Sequence, residues 1–462
     1  MSSPTTTPWP DPVGVAALLD DVLHTDHSHP RPALRYLRRK PGRGLVAVYG
    51  DGADEMYTVT VDEAEATGAQ SSAHLAGDRD DADGDPESGT VHIARLGATI
   101  QRFPHDERLP DLVAAMHPPQ GGAVWLALAA VAAGQSGQGD LVLDSVSAAP
   151  LRYKPGDRCV IRYHLQGRTA SGRSVSTSVI GKLYRSAEQA RHATALAERL
   201  WALQRAEPWA PRPLGVVDPL PLVLTEDLGS AADTPATVVG TEVIRMGGDA
   251  SSAALRAAAT ALADLHLRAV APDGTSDRTG AQEAVKSANR AVTISRYVPE
   301  LAGEVSSLAS ALGEALEASR PLRSRPAHGS FKPSQLLYRE GAVLLVDFDQ
   351  FCLADPALDL GYFLAYLRPP GIWYHRAGTR AWFEEASAAF LAAYADAAQA
   401  RGMGDDELAG VRLRSHVYEA ALLLKIAARR PNRLHSARPG EVRALLGEVA
   451  ACLAASAEPI RT

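Results

Sequence analysis

The stretch AHGSFKPSQLLYREGAVLLVDFDQFCLADPALDLGYFLAYL, residues 327–367, constrains the fold more than any other part of the chain. Two apolar runs in it, LLY and LLV, flank the polar turn REG and therefore predict a short β-hairpin. Polar residues gather at both ends of this hairpin. His328 and Lys332 come before its first strand, and Asp347 and Asp349 end its second. A loop and a strand end that both carry charged side chains predict one compact site.

These residue types are the ones that phosphoryl transfer requires. A nucleotide triphosphate and its magnesium ion need hard oxygen ligands, so Asp347 at a strand end is a candidate metal ligand. The amide oxygen of Gln335 can supply a second ligand from the neighbouring loop. Lys332 is placed to neutralise charge on the migrating phosphoryl group. The simpler alternative is that Asp347 and Asp359 only cap a turn and a helix, and for Asp359 we favour that structural role.

The residues HGSFKPSQLLY, followed by VDFDQFCLADPALDLG, resemble the catalytic and metal-binding loops of the aminoglycoside phosphotransferase-like family. The usual form in that family is HGDxxxxN, then IDF or IDW, then GDPxxDLA. The protein-kinase loop HRDLKPEN is similar too, and its lysine corresponds to Lys332. The resemblance implies an α+β, bilobal protein-kinase-like fold with a β-rich N-lobe and a helical C-lobe. It also implies ATP and Mg²⁺ as cofactors, and it extends over roughly residues 141–455.

Residues upstream of the hairpin agree with this resemblance. Lys182 lies near the end of the strand VIGKLY, and in such folds a strand lysine holds the α- and β-phosphates and pairs with a helix glutamate. Glu198 on the following predicted helix is the expected partner. Glu188 is a weaker alternative, because the helix dipole favours acidic residues in a first turn in any case.

Two further segments match nucleotide-binding parts of the family. The turn KPGDR would lie over the phosphates, with Lys154 and Gly156 as candidate cofactor-binding residues. The segment LTEDL resembles the linker between the lobes, where the backbone of Glu226 and Leu228 would bond the adenine edge.

The catalytic loop departs from the family pattern at one position. Ser330 stands where the family has the aspartate that acts as general base, and a hydroxyl at neutral pH cannot accept a proton as a carboxylate does. Three candidate catalytic residues remain. Ser330 can orient the acceptor, and Lys332 can stabilise charge. Asp349, two residues past the metal ligand, is a candidate to approach the acceptor, and the alternatives are a carboxylate of the substrate or of the N-terminal module.

Two functions stay open on this sequence. The first is an ATP-dependent phosphotransferase that acts on a hydroxyl of a small molecule, such as an aminoglycoside, sugar or natural product, or on Ser or Thr in a peptide. Its support is that phosphoryl transfer depends mostly on positioning and charge stabilisation. The second is an impaired pseudokinase that binds ATP and serves as a scaffold or regulatory partner, which Ser330 favours.

The patterns divide the chain into three parts. Residues 1–140 form a β-rich accessory module, residues 141–230 the N-lobe, and residues 231–462 the helical C-lobe with the catalytic and metal loops. The segments KPGRGLVAVY and KPGDRCVIRY share their spacing. The module is therefore either a degenerate copy of the N-lobe or a chance repeat of a common turn. It is also a candidate contact for a protein partner.

Composition excludes several other classes of protein. The net charge of −7 gives no basic field for nucleic acid. The longest apolar run, residues 123–133, is too short to cross a bilayer. The three cysteines lie far apart and match neither a disulfide framework nor a zinc site, and the polar, proline-rich start is unlike a signal peptide. We therefore expect a cytoplasmic protein.

Overall fold

The computed structural model describes residues 33–40, 44–50, 56–61, 82–83, 89–93, 97–136, 141–202, 209–229, 238–319, 321, 323–339, 341–368, 378–430 and 439–457. Two antiparallel sheets occupy the first half of this part. The six-stranded sheet A has the order β1-β2-β3-β6-β5-β4, and the five-stranded sheet B has the order β10-β11-β9-β8-β7. The strands are β1 (Ala33–Lys40), β2 (Gly44–Gly50), β3 (Met56–Val61), β4 (Ala82–Asp83), β5 (Thr90–Ile93), β6 (Ala98–Arg102), β7 (Leu141–Lys154), β8 (Arg158–Thr169), β9 (Ser174–Leu183), β10 (Pro213–Val217) and β11 (Leu222–Glu226).

Helices dominate the second half, with two small three-stranded sheets between them. The helices of the described chain are α1 (Leu112–Met116), α2 (Ala123–Ser136), α3 (Ala187–Ala202), α4 (Gly240–Met246), α5 (Gly248–Arg268), α6 (Gly280–Tyr297), α7 (Ala302–Ala318), α8 (Ala357–Leu367), α9 (Thr379–Gln399), α10 (Asp405–Arg429) and α11 (Pro439–Ala457). The remaining strands are β12 (Val238–Val239), β13 (Asp277–Arg278), β14 (Arg325–Ala327), β15 (Leu336–Arg339), β16 (Ala342–Leu345) and β17 (Cys352–Ala354). These elements confirm the predicted arrangement of a β-rich lobe followed by a helical lobe.

The two faces of sheet B have different chemistry because side chains alternate along a strand. On β8, Cys159, Ile161 and Tyr163 are fully buried and pack in one core with α1 and α2. The intervening residues point to the other face, where Val160 lies opposite Lys182 of β9. This second face carries the charged residues and faces the helical lobe.

The core of sheet B crosses the predicted boundary at residue 140. Leu112 of α1 and Leu128 of α2 are fully buried in the same cluster as Leu143 and Ile161. The helices α1 and α2, which precede residue 140, therefore share one core with the strands of sheet B that follow it. Both sheets begin with a three-stranded meander, and the first turn joins Lys40 to Gly44 in sheet A and Lys154 to Arg158 in sheet B. Duplication of this unit stays a hypothesis, since antiparallel meanders are common.

The predicted helices of the C-lobe are present with small changes at their ends. Apolar residues at helical spacing predict helices over residues 251–270, 380–401, 406–428 and 441–455, and these segments correspond to α5, α9, α10 and α11. The predicted hairpin at residues 336–346 is β15 and β16, which pair in the register Leu336 to Leu345. Among the described residues, no helix combines the length and the apolar character that a membrane crossing needs.

Candidate functional site

The loop after β14 is held in shape by a glycine and a buried histidine. Gly329 has a φ of 72°, and a Cβ there would lie 1.9 Å from the carbonyl oxygen of Gln350, so only glycine fits. Nε2 of His328 donates to the carbonyl of Val346 at 3.1 Å, and its backbone N–H donates to Asp359 at 2.7 Å. Burial lowers the pKa of His328, which keeps the ring neutral. His328 therefore braces the loop.

Asp347 follows β16 in a backbone conformation that few side chains adopt. Its φ of 69° lies in the left-handed region, and strain of this kind is often found at functional sites. Oδ1 accepts from Nζ of Lys182 at 2.8 Å, and Oδ2 accepts from Nε2 of Gln335 at 3.1 Å. Burial alone would raise the pKa of Asp347, but Lys182, Arg158 and the Gln335 amide hold it well below its ordinary value. Asp347 is therefore a carboxylate at neutral pH.

Asp349 faces the N-lobe and not the acceptor side of the loop. Its Oδ1 lies 2.6 Å from Nζ of Lys182 and 2.9 Å from the hydroxyl of Tyr184, while Oδ2 lies 2.5 Å from Nη1 of Arg158. A carboxylate with these three partners is a poor general base for an acceptor on the opposite side. The structure thus places Asp349 with Lys182 and Arg158 of the N-lobe.

The predicted pair of Lys182 and Glu198 does not form. Glu198 is exposed on α3, and the described ion pairs of Lys182 are with Asp347 and Asp349. Glu188 is exposed as well. The prediction was wrong because it assumed that the partner of the lysine comes from a helix, whereas here the C-lobe loop supplies it.

Arg158 belongs to this cluster, although sequence reasoning missed it. It precedes Val160 by two residues on β8 and so lies on the face of sheet B that carries Lys182. The alternation along the strand could have identified it, had the pairing of β8 with β9 been known.

The turn between β7 and β8 is fixed by a residue from outside the N-lobe. The buried carboxylate of Asp106 accepts from the Gly156 N–H at 2.7 Å and from the Tyr153 hydroxyl at 2.7 Å. The Gly156 amide is therefore already bonded, and its contribution to a nucleotide site is the shape of the turn. Lys154 is half-buried, and burial with nearby Arg158 lowers its pKa to about 8.

The predicted linker between the lobes, residues 224–228, begins in the last three residues of β11. Leu228 is buried and Glu226 is half-buried. Between them, Asp227 accepts from the Ser178 hydroxyl at 2.8 Å and lies 2.8 Å from Nε of Arg162. The linker is thus tied to β8 and β9, on the face of the sheet that carries Lys182.

Ser330 and Lys332 lie in the loop between β14 and β15. The Ser330 hydroxyl is 3.2 Å from Nε2 of Gln335 and 3.5 Å from Nδ1 of His328. The ammonium group of Lys332 lies 5.4 Å from the ring centre of Tyr366. Burial and the charge of nearby Arg152 lower the pKa of Lys332. Both residues have room to contact a bound ligand, because each is only half-buried.

The oxygen donors at this site suit Mg²⁺. This ion uses one or two protein carboxylates together with substrate phosphates and water, so it does not need a full protein cage. Asp347 and Asp349 supply carboxylates, and the Gln335 amide contacts Asp347. Across the described residues, no group of three or more His, Cys, Asp or Glu side chains forms a metal site. Two carboxylates are a donor set that fits a Mg²⁺ ion held in part by phosphate oxygens and water.

Comparison with known proteins gives one family match. The model of the phosphotransferase enzyme family matches residues 162–413, which is more than half of the chain. No curated protein gives a significant match.

Several solved structures are similar in fold at low identity. A choline/ethanolamine kinase family protein from Mesorhizobium loti is 18% identical, with 64% of this chain and 85% of that chain covered and a TM-score of 0.40. A glucosamine kinase is 15% identical over 100% of both chains, with a TM-score of 0.42. An ADP-bound aminoglycoside phosphotransferase is 11% identical, covering 68% of this chain and 93% of that one, with a TM-score of 0.40.

Proposed function

Since this chain belongs to the phosphotransferase enzyme family, we propose that it transfers the γ-phosphoryl group of ATP to a hydroxyl group of a small molecule. The observation that carries the proposal is the meeting of Lys182 with Asp347 and Asp349 across the two lobes, at 2.8 and 2.6 Å. A cation for the phosphates and carboxylates for a metal thus come together at one point. Such a charge arrangement is what phosphoryl transfer needs.

Each residue has a role in this proposal. Lys182 would contact the α- and β-phosphates, and Asp347 with Gln335 and Asp349 would hold Mg²⁺, which neutralises charge on the β- and γ-phosphates when bound. Lys154 and the turn fixed by Asp106 would lie over the phosphates. The backbone of Glu226 and Leu228 would bond the adenine edge.

The reaction itself would proceed with Ser330 as an orienting group. The acceptor oxygen forms a bond to the γ-phosphorus while the bond from that phosphorus to the bridging oxygen of ADP breaks. The transition state is loose, so the acceptor needs little deprotonation, and its proton can leave to a phosphoryl oxygen or to water. Lys332 would stabilise the negative charge of the migrating group. The orienting role of residue 330 does not require an aspartate there.

Thermal unfolding with ATP, with and without Mg²⁺, tests the nucleotide site. A ligand at about 100 times its Kd stabilises the folded state by about 2.7 kcal/mol, so a Mg²⁺-dependent rise in Tm is expected. The rise should disappear in Lys182→Ala and Asp347→Ala and persist in the control Glu188→Ala, because Glu188 is exposed on α3. Absence of any shift at millimolar ATP would contradict the proposal.

A pseudokinase remains the second candidate, and Ser330 is the observation that favours it. Such a protein would show the same Mg²⁺-dependent shift with ATP, but no labelled phosphate would reach any acceptor. Phosphate transfer to a sugar, an aminoglycoside or a serine-containing peptide would exclude this alternative and would also separate small-molecule from peptide acceptors. A protein partner bound through residues 1–140 stays a prediction, which crosslinking of the full chain to a captured partner, with mapping of the crosslinked residues, would test.

A further inference from the structure

The side of the helical lobe next to the catalytic loop carries a cluster of basic residues. We call it the basic cluster, and its members are Arg278, Lys286, Arg290, Lys425 and Arg429. They come from β13, α6 and α10, so they are distant in sequence and are gathered by the fold. Glu283 is the acidic residue among them, and it is fully buried.

The basic cluster is joined directly to the catalytic loop. Nη1 of Arg278 donates to the carbonyl of Gly329 at 2.6 Å, one residue before Ser330. Its Nη2 donates to the hydroxyl of Tyr362 at 3.3 Å, and Nζ of Lys425 donates to the same hydroxyl at 2.6 Å. A ligand that places its hydroxyl at Ser330 would therefore have the basic cluster beside it.

Three of the five cations share the one carboxylate. Glu283 lies 2.8 Å from Arg278, 2.8 Å from Lys286 and 3.5 Å from Arg290. These contacts fix β13 and α6 against the loop, and they give Arg278 and Arg290 a structural role. They leave the cluster with more positive than negative charge.

Lys425 and Arg429 are the two members of the basic cluster that do not contact Glu283 in the described ion pairs. Within the described part of the chain, their hydrogen-bond partners are the hydroxyl groups of Tyr362 and Tyr366, at 2.6 and 3.2 Å. Burial and the charge of Arg429 lower the pKa of Lys425 to about 8, and Lys425 with Arg278 lowers the pKa of Tyr362. The pKa of Lys425 is lowered mainly by its burial, whereas the lowered pKa of Tyr362 reflects the positive charge of Lys425 and Arg278.

Acidic residues elsewhere do not change this balance. Glu384, Glu385 and Asp396 on α9 are exposed, as expected for a solvated helix face. The sequence segments 369–377 and 431–438, which follow α8 and α10, contain no Asp or Glu. Lys332 is not counted among the positive charges of the basic cluster, because the proposed function assigns it to the phosphoryl group.

We propose that the acceptor of this phosphotransferase carries an anionic group, a carboxylate or a phosphate, which Lys425 and Arg429 bind while its hydroxyl lies at Ser330. The proposal rests on the proposed function, and it specifies the substrate class. A cationic acceptor would meet like charges at this position, whereas an anion would satisfy two half-buried cations with charge-assisted hydrogen bonds.

Matched sugars test the proposal, since they differ in charge and share a ring. The probes are glucose, glucosamine, glucuronate and glucose 1-phosphate, each titrated by calorimetry onto the protein saturated with Mg²⁺ and a non-hydrolysable ATP analogue. The two anionic sugars should bind at least about tenfold more tightly than glucosamine, the difference expected of one good charge-assisted contact. A second set of titrations uses an acidic serine-containing peptide and its Glu→Gln counterpart. This set distinguishes a peptide acceptor from a small-molecule acceptor that carries the carboxylate.

Two variants locate the effect. Lys425→Gln and Arg429→Gln should each weaken binding of the anionic probe by about tenfold and leave the Kd of Mg²⁺-ATP unchanged. The control Arg412→Gln removes one charge from an exposed position of the same helix and should change neither. Thermal unfolding of the unliganded variants shows whether each is folded. If Lys425→Gln does not fold, Arg429→Gln alone tests the proposal.

Several results would overturn this assignment. The first is that glucosamine binds as tightly as the anionic sugars or more tightly, and the second is that no anionic probe binds. The third is that Lys425→Gln weakens binding of Mg²⁺-ATP as much as binding of the anionic probe. Failure of the proposed function would look different, because the wild-type protein would then not bind Mg²⁺-ATP at all. Transfer of phosphate to glucosamine would support the proposed function and refute the anionic acceptor.

Discussion

Nζ of Lys182 lies 2.6 Å from Oδ1 of Asp349, closer than the 2.8 Å that separates it from Oδ1 of Asp347. The lysine belongs to the sheet of the N-lobe and both carboxylates to a loop of the helical lobe. Arg158 adds a second link to Asp349 at 2.5 Å. Charges from both lobes therefore hold the proposed nucleotide site together, and Lys182 has its counter-ions without a helix glutamate.

Replacing Asp349 with Asn should destabilise the free protein, because Lys182 and Arg158 are each about a fifth exposed and would lose a carboxylate partner. We expect a loss of about 1–3 kcal/mol in the free energy of unfolding, less than for a fully buried pair. Glu198→Gln is the matched control and should change it by no more than about 0.5 kcal/mol. Urea denaturation without ligand measures the change in the free energy of unfolding for both variants. Equal changes would instead identify Glu198 as an ion-pair partner of Lys182.

Asp106→Ala should weaken ATP binding although Asp106 precedes the predicted start of the N-lobe at residue 141. The change leaves the Gly156 N–H without its acceptor and frees the turn over the phosphates, so we expect the Kd of Mg²⁺-ATP to rise by about three- to tenfold. Tyr153→Phe removes one of the bonds to Asp106 and should have a smaller effect. An unchanged Kd would mean that the turn keeps its shape without Asp106.

Ser330→Asp should raise the rate of phosphate transfer. A general base typically contributes ~10²–10⁴-fold, and we expect the lower part of this range because the transition state needs little deprotonation. Ser330→Asn is the control, since it has a similar size and no carboxylate. Initial rates of transfer to an identified acceptor give the comparison. A fall in rate with Asp would instead mean that the serine hydroxyl belongs to a working variant of the site.

The stability of the protein should fall as the pH drops below about 6.5, and His328 should contribute to the fall. Burial lowers its folded pKa beneath the unfolded value of about 6.5, so the unfolded chain binds the proton more tightly in that range. The contribution is complete above pH 6.5 and is lost on acidification by at most about 1.4 kcal/mol for each pH unit.

Denaturation curves between pH 7.5 and 5.0 would measure this dependence. Asp359 also has a lowered pKa because His266 and His328 outweigh its burial, but its contribution is lost only at more acidic pH. His328→Gln keeps a donor for the Val346 carbonyl and should flatten the curve between pH 6.5 and 5.0. An identical slope in this variant would assign the pH dependence to other groups.

Local patterns were enough to predict the architecture. The hairpin at residues 336–346 followed from two apolar runs around a polar turn, and the helices of the C-lobe followed from apolar residues at helical spacing. Both are short-range signals, because they depend on neighbours within a few positions. The family match over residues 162–413 confirms the resemblance that the catalytic and metal loops indicated.

The sequence by itself thus determined the fold class, the family, and the identity of Lys182, Gln335 and Asp347 as candidate site residues. The tertiary structure decided which residues meet. It gave Lys182 the partner Asp349 in place of Glu198, it brought Asp106 to the Gly156 turn, and it gathered the basic cluster from β13, α6 and α10. No spacing in the chain encodes these contacts, because they depend on how distant elements pack and on which charges that packing brings within a few ångströms.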